Sequence, residues 1–217
     1  MRLTTIAWVG ESDALERRLL EAGGGGRVQV VVLPSFDEVA RCRGLSAAVV
    51  PLNEGVPALQ RAYLADGLAK AVGCADTLAY TEALPEAFGF LATVGALVAA
   101  VRETVGSEYM EGGARIAARG PGAWSALAAL TQLRCAPIDG GADPMLGAIA
   151  HRLGVTLAPV RDPLVTVATA EHGIPEVQGK FTVQADVVRL HTVAAQLRLA
   201  CAREPDIGAM RAAIGCG

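Results

Sequence analysis

Apolar and polar positions along this chain alternate between two periods. Short runs of Val, Ile, Leu and Ala that stop at Gly, Pro, Ser or Asp read as strands, and longer stretches with apolar residues every three or four positions read as helices. Leu3 to Val9 is the first strand. Ser12 or Asp13 caps a helix that runs to Ala22, where Gly23 to Gly26 break it. Arg27 to Leu33 is the second strand, and Pro34-Ser35-Phe36-Asp37 starts a short helix through Arg43. Ala47-Ala48-Val49-Val50 is apolar on both faces and is stopped by Pro51, as a buried parallel strand would be. A helix is predicted over Val56 to Val72, a strand over Leu78 to Thr81, and a long helix from Pro85 through about Thr104, with Glu86 in its first turn. Gly106 to Gly113 reads as a junction. Beyond it come a strand over Ala114 to Ala118, a glycine turn, a helix to about Leu133, a strand over Cys135 to Ile138 and a helix over Pro144 to Leu153. Thr156 to Val160 and Asp162 to Thr169 are two further strands. After a loop over Glu171 to Gly179, Val187 to Ala202 is an amphipathic helix, and Glu204-Pro205-Asp206 opens the last one, over Ile207 to Ile214. Strand and helix in alternation predict an α/β fold with parallel strands.

Composition narrows the function classes. The 217 residues are 52% hydrophobic and 19% charged, enough to bury one substantial core or two small ones and far from a disordered composition. A formal net charge of −3 leaves no basic footprint, so nucleic acid is not an expected partner. The longest apolar run, around Phe88 to Val101, is about one helix long and ends at Arg102 and Glu103, too short for a membrane span. No charged segment followed by an apolar one opens the chain, which makes a cytoplasmic, membrane-free protein the expectation. Cys42, Cys74, Cys135, Cys201 and Cys216 lack Cys-x-x-Cys spacing and a neighbouring histidine pair, so free thiols are expected and no metal site is.

Two places carry candidate chemistry. In a doubly wound sheet the residues just past a strand's carboxyl end face the ligand crevice. Asn53 and Glu54 follow Pro51 at such a place, although a loop-capping amide is the plain alternative for Asn53. The second place is Arg119-Gly120-Pro121-Gly122-Ala123-Trp124-Ser125, which lies between a strand and a helix as a dinucleotide turn must. Gly120, Gly122, Ala123 and Ser125 are its candidate cofactor contacts, with Thr169 at the end of a later strand. Asp139, closing the next strand, would accept from ribose hydroxyls and repel a 2′-phosphate, which favours NAD over NADP. Against a working site stand the bulk of Trp124, the amide missing at Pro121 and a short, alanine-rich strand.

Several segments resemble the shikimate dehydrogenase family. Val49-Val50-Pro51-Leu52-Asn53-Glu54 is similar to its Val-Thr-Val-Pro-Leu-Lys-Glu, Ala71-Val72-Gly73-Cys74-Ala75-Asp76-Thr77-Leu78 to its Ala-Ile-Gly-Ala-Val-Asn-Thr-Leu, and Glu86-Ala87-Phe88-Gly89-Phe90-Leu91 to its Asp-Gly-Pro-Gly-Phe-Leu. Gln196-Leu197-Arg198-Leu199, then Glu204-Pro205 and Met210-Arg211, are similar to its closing pattern. The resemblance implies a substrate-type α/β domain over 1–105, a Rossmann-like domain over 106–186, and last helices, 187–217, that pack back on the first domain. It also implies a nicotinamide cofactor, NAD or NADP, and a small-molecule ligand in the cleft between the domains, in a monomer or homodimer.

The departures fall on the residues that the family uses. Asn53 stands in place of its catalytic lysine, Asp76 of a substrate-binding asparagine, Glu86 of the aspartate that works with the lysine, and Thr192, after His191, of a glutamine. The early loop, with two serines in the family, here reads Gly10-Glu11-Ser12-Asp13 and would repel an anionic substrate. An amide cannot surrender a proton near neutral pH, so the family reaction is not expected. Two readings stay open. One is a divergent NAD(P)-dependent oxidoreductase on another substrate, with Asp76, Glu86 or His191 as acid/base group and Ser12, Asn53, Asp76, Thr192 and Gln196 as ligand contacts. The other is a non-redox enzyme or a catalytically inactive binding or regulatory protein on the same scaffold.

Overall fold

A computed structural model describes residues 3–11, 13–81, 84–106, 112–180 and 182–215. Its first half is built on a six-stranded sheet in the order β2-β1-β3-β5-β6-β4. β1 (Thr4–Val9) lies between β2 (Val28–Leu33) and β3 (Leu45–Val49), parallel to both. This central place explains its unbroken apolar run, with Ile6, Ala7, Trp8 and Val9 all buried. Between β1 and β2 runs α1 (Ala14–Gly24), whose N-cap Asp13 accepts from the amides of Leu15 at 2.8 Å and Glu16 at 3.3 Å. A short α2 (Phe36–Val39) joins β2 to β3.

The rest of this sheet departs from the all-parallel expectation. β5 (Thr77–Thr81) runs antiparallel to β3 and to β6 (Leu84–Phe90). The long helix expected from Pro85 is therefore a strand first, and α5 (Ala92–Val105) starts only after Leu91. Pairing with β5 takes precedence over the helical preference of the segment, and Glu86 sits exposed on a strand, not in a first helical turn. The helix expected over Val56 to Val72 is likewise divided. A 3-10 turn (Leu52–Glu54) leads into α3 (Gly55–Arg61), then β4 (Leu64–Ala65), then α4 (Gly67–Val72). The amides of Tyr63 and Asp66 bond to the carbonyls of Ala87 and Gly89 on β6, and the Asp66 carboxylate caps α4 through the Ala69 amide at 2.5 Å. Both interruptions thus follow from sheet edges that recruit the chain, that of β5 for β6 and that of β6 for β4.

The second half carries a four-stranded sheet in the order β10-β9-β7-β8. β7 (Ala114–Ile116) is parallel to β8 (Ile138–Asp139) and β9 (Val165–Thr169), and β10 (Pro175–Gly179) returns antiparallel to β9 where a loop was expected. The strand expected over Thr156 to Val160 is reduced to one bridge, Leu157 to Ile138. α6 (Gly120–Gln132) follows β7, and α7 (Leu146–Leu153) follows β8. α8 (Ala185–Cys201) lies against α5 and α1, and α9 (Ile207–Ala213) against α1. Because α8 is covered on more than one side, Val188, Leu190, Val193 and Leu197 are all buried and the simple amphipathic face disappears. One apolar cluster runs continuously through both sheets by way of α5 and α6. A second one, with Ile6, Trp8, Leu19, Leu190, Leu197 and Met210, seats α8 and α9 on the outer face of β1 and β3.

Asp76 is the polar hinge of this packing. Its backbone accepts from the Val50 amide and donates to the Phe90 carbonyl, each at 3.0 Å. Its buried carboxylate receives the amides of Ala92 at 2.9 Å and Thr93 at 2.7 Å, with the hydroxyls of Thr93 and Thr77. Burial pushes this carboxyl up from its ordinary value, opposed by those hydrogen bonds. Asp76→Ala strands two amides of α5 in the core and should lower the free energy of unfolding by about 3 kcal/mol in urea denaturation. A loss well under about 1 kcal/mol would mean that α5 is held by packing alone.

Candidate functional site

A cavity of about 430 Å³ opens at the carboxyl ends of β1, β2 and β3, where Val9, Pro34 and Pro51 leave their strands. Glu11, Asn53, Glu54 and the Asp37–Arg61 pair line it, with His172 reaching in from the loop after β9. Asn53 is on the 3-10 turn after β3, held there because Leu52 is buried beneath it and the Glu54 amide bonds back to the Pro51 carbonyl at 2.8 Å. The loop after β9 rests on this turn: a Cβ at Gly173 would lie 3.5 Å from the Asn53 nitrogen. The loop after β9 therefore touches the first half at Asn53. Three carboxylates (Glu11, Asp37 and Glu54) face one guanidinium in the lining, so an anionic ligand meets a net negative wall. Arg61 is bonded to Asp37 at 3.0 Å and stacked over Phe36 at 5.1 Å.

His172, in the loop after β9, is brought to the cleft. Its backbone is left-handed, with φ 57° and ψ 16°, a conformation that costs a non-glycine residue on the order of 1 kcal/mol. Nε2 lies 3.7 Å from an oxygen of Asp13. That carboxylate also meets Arg189 of α8 at 3.3 Å, and Arg189 in turn meets Glu16 at 3.6 Å and Asp186 at 3.1 Å. A polar knot thus ties α1 and α8 to the loop of the second sheet. Within it, burial and then the neighbouring Asp13 charge push the Glu16 carboxyl up to about 8. The one clue in the sequence was that His172 follows a strand's end; nothing in it pairs Arg189 with Asp13.

Other candidates fall elsewhere. Among the described residues, Asp76, Glu86, His191, Thr192 and Gln196 do not line the cavity. Asp76 is committed to α5. His191 Nε2 lies 2.9 Å from Glu103 on α5, whose carboxyl the Arg211 guanidinium holds below its ordinary range. The Thr192 hydroxyl bonds back to the Val188 carbonyl within α8, and Gln196 is buried on the same helix. Ser12 lies outside the described residues. Neither lysine of the chain, Lys70 or Lys180, lines the cavity in the place of the family's own.

The glycine turn does open α6 as expected, but the chain itself fills its surroundings. Asp143, in the turn between β8 and α7, accepts from the Gly120 amide at 2.6 Å and the Trp124 indole at 3.2 Å. A Cβ at Gly122 would run into the Gly173 carbonyl and the Thr169 methyl, so the close approach this glycine permits is made by the chain's own loop. Ala123 is buried, and the Ser125 hydroxyl faces the Cys74 thiol in the core, a thiol that burial pushes up to about 12. Asp139 stands at the end of β8, engaged with the Gly141 amide at 3.0 Å and Arg115 at 3.3 Å, contacts that hold its carboxyl low. The amide of Gly120 and the space beside Gly122 at the start of α6 are thus both taken up by the chain's own groups.

No family model matches the chain, and no curated relative does. Solved structures do match, over nearly the whole length of both chains. Quinate dehydrogenase from Corynebacterium glutamicum, in complex with NAD, superposes with a TM-score of 0.81 at 12% identity, covering 99% of each chain. Shikimate 5-dehydrogenase from Thermus thermophilus, in complex with NADP(H) and shikimate, gives 0.75 at 14% identity, covering 97% of this chain and 98% of the other. The 5-ketofructose reductase of a Gluconobacter strain gives 0.75 at 12%, covering 99% and 98%. At such identities the likeness is one of fold, and this chain has the shikimate dehydrogenase-like fold.

The Glu16 environment generates a pH dependence. The unfolded carboxyl loses its proton near the ordinary value of 4.5, whereas the folded one keeps it until about 8. Between these values the native state holds the extra proton, so stability falls as pH rises through that window. Urea midpoints of the wild type should decline from about pH 5 to 8 more steeply than those of Glu16→Gln. Parallel profiles would show that Glu16 does not titrate there.

Proposed function

We propose that this chain is a small-molecule-binding protein on the shikimate dehydrogenase-like scaffold, taking a polar, non-anionic ligand into the cleft at the ends of β1, β2 and β3, without the hydride chemistry of its structural neighbours. The observation that carries this reading is Asn53, where the loop after β9 touches the turn after β3, in a wall with more carboxylates than guanidinium groups. Reduction of a ketone needs a proton delivered to the developing alkoxide. The Asn53 amide offers a hydrogen bond at that place and no proton. Glu11 and Glu54 oppose the carboxylate that quinate or shikimate would bring.

A second reading keeps catalysis but not redox chemistry. His172 faces the cleft beside the Asp13 carboxylate, which supports a non-redox proton transfer on the bound ligand. Against both readings stands a divergent NAD-dependent dehydrogenase, for which Asp139 at the end of β8 speaks.

Incubation of purified protein with quinate or shikimate and NAD or NADP should give no reduced nucleotide above background, and steady turnover of either acid would sink the proposal. Asn53→Lys alone should leave that result unchanged, because the wall stays negative. In thermal denaturation at low salt, a protonated amino sugar should raise Tm more than quinate does. Glu54→Gln should shrink the difference.

A further inference from the structure

We propose that Asp143 is a built-in substitute for the phosphate anion at the start of α6, so that the glycine turn of this chain is closed to a dinucleotide by the chain's own carboxylate. A helix N-terminus presents unpaired amides and the positive end of the helix dipole, and an anion there is stabilised. In α6 that anion is supplied internally. One Asp143 oxygen takes the Gly120 amide and the Trp124 indole, and the other takes the Met145 amide at 2.8 Å. The carboxylate is buried, so its charge is poorly screened and a phosphate cannot share the place without strong repulsion.

The turn that carries Asp143 is made to reach across. Gly141 has φ +60°, and a Cβ there would run into the Ile116 carbonyl at the end of β7, so only glycine lets the turn press this closely over the strand. Asp143 then starts the segment leading into α7, its backbone carbonyl accepting from the Leu146 amide at 3.3 Å. An independent contact closes the other side. The Gly173 carbonyl occupies the space beside Gly122, an acceptor where a pyrophosphate would need room and donors. Trp124, awkward for a phosphate turn when seen in sequence, has a use here: its indole donates to the substitute anion.

Calorimetric titration of wild-type protein with NADH and with NADPH, to about 1 mM, should show no saturable heat. A dissociation constant below about 100 µM for either would overturn the inference. NADH binding without turnover would do so while leaving the cleft proposal standing.

The second arm replaces the lost anion from solution. Asp143→Ala leaves the Gly120 and Met145 amides and the Trp124 indole facing a gap. Sodium phosphate at about tenfold its dissociation constant should raise Tm of this variant by about 3 °C over potassium chloride of equal ionic strength. The wild type should show no such difference. Asp143→Asn, which keeps the shape and loses the charge, should melt between the two. An equal phosphate response in wild type and Asp143→Ala would overturn the substitution argument, and the wild-type titration decides even if Asp143→Ala does not fold.

Discussion

The buried Asp76 carboxylate is the constraint on which the arrangement of both sheets depends. A charge taken out of water is tolerated only where hydrogen bonds replace its solvation, and Asp76 finds its donors at the first turn of α5 and on Thr77. Those bonds fix the angle at which α5 leaves β6. Since α6 and α8 both pack against α5, the same group sets how the second sheet and the C-terminal helices sit on the first.

Small residues make that close packing possible. Ala96 and Ala100 of α5, and Ala123, Ala126 and Ala129 of α6, are all buried, and short side chains bring helix backbones near one another. Lobes that pack this tightly meet at the 3-10 turn bearing Asn53, where the loop after β9 touches it. The cavity at the strand ends lies beside this contact, lined by polar groups of the first half and by His172 of the second.

Anions and their replacements recur through the molecule. Asp13 caps α1, Asp66 caps α4, Asp76 receives α5 and Asp143 receives α6. Each satisfies amides that a helix start leaves unpaired. At α6 the position satisfied by a side chain is one that nucleotide-binding proteins of α/β type leave for phosphate. A fold can be kept at low sequence identity because packing asks only for volume and pattern, whereas a ligand site asks for particular groups.

The alternation of strand and helix, the strand end at Pro51, the glycine turn before α6 and the α/β class were all legible in the chain, because each rests on local periodicity and local turn chemistry. Tertiary contact decided the rest. The segment from Leu84 to Phe90 became a strand because β5 offered an edge, and the stretch from Gly55 to Val72 was cut because β6 offered another. Pairings such as His172 with Asp13, Arg189 with Glu16, or Asp143 with the start of α6 join residues far apart in sequence that carry no mark of one another. Residue type tells which groups can meet, and only the folded path of the backbone brings them within reach.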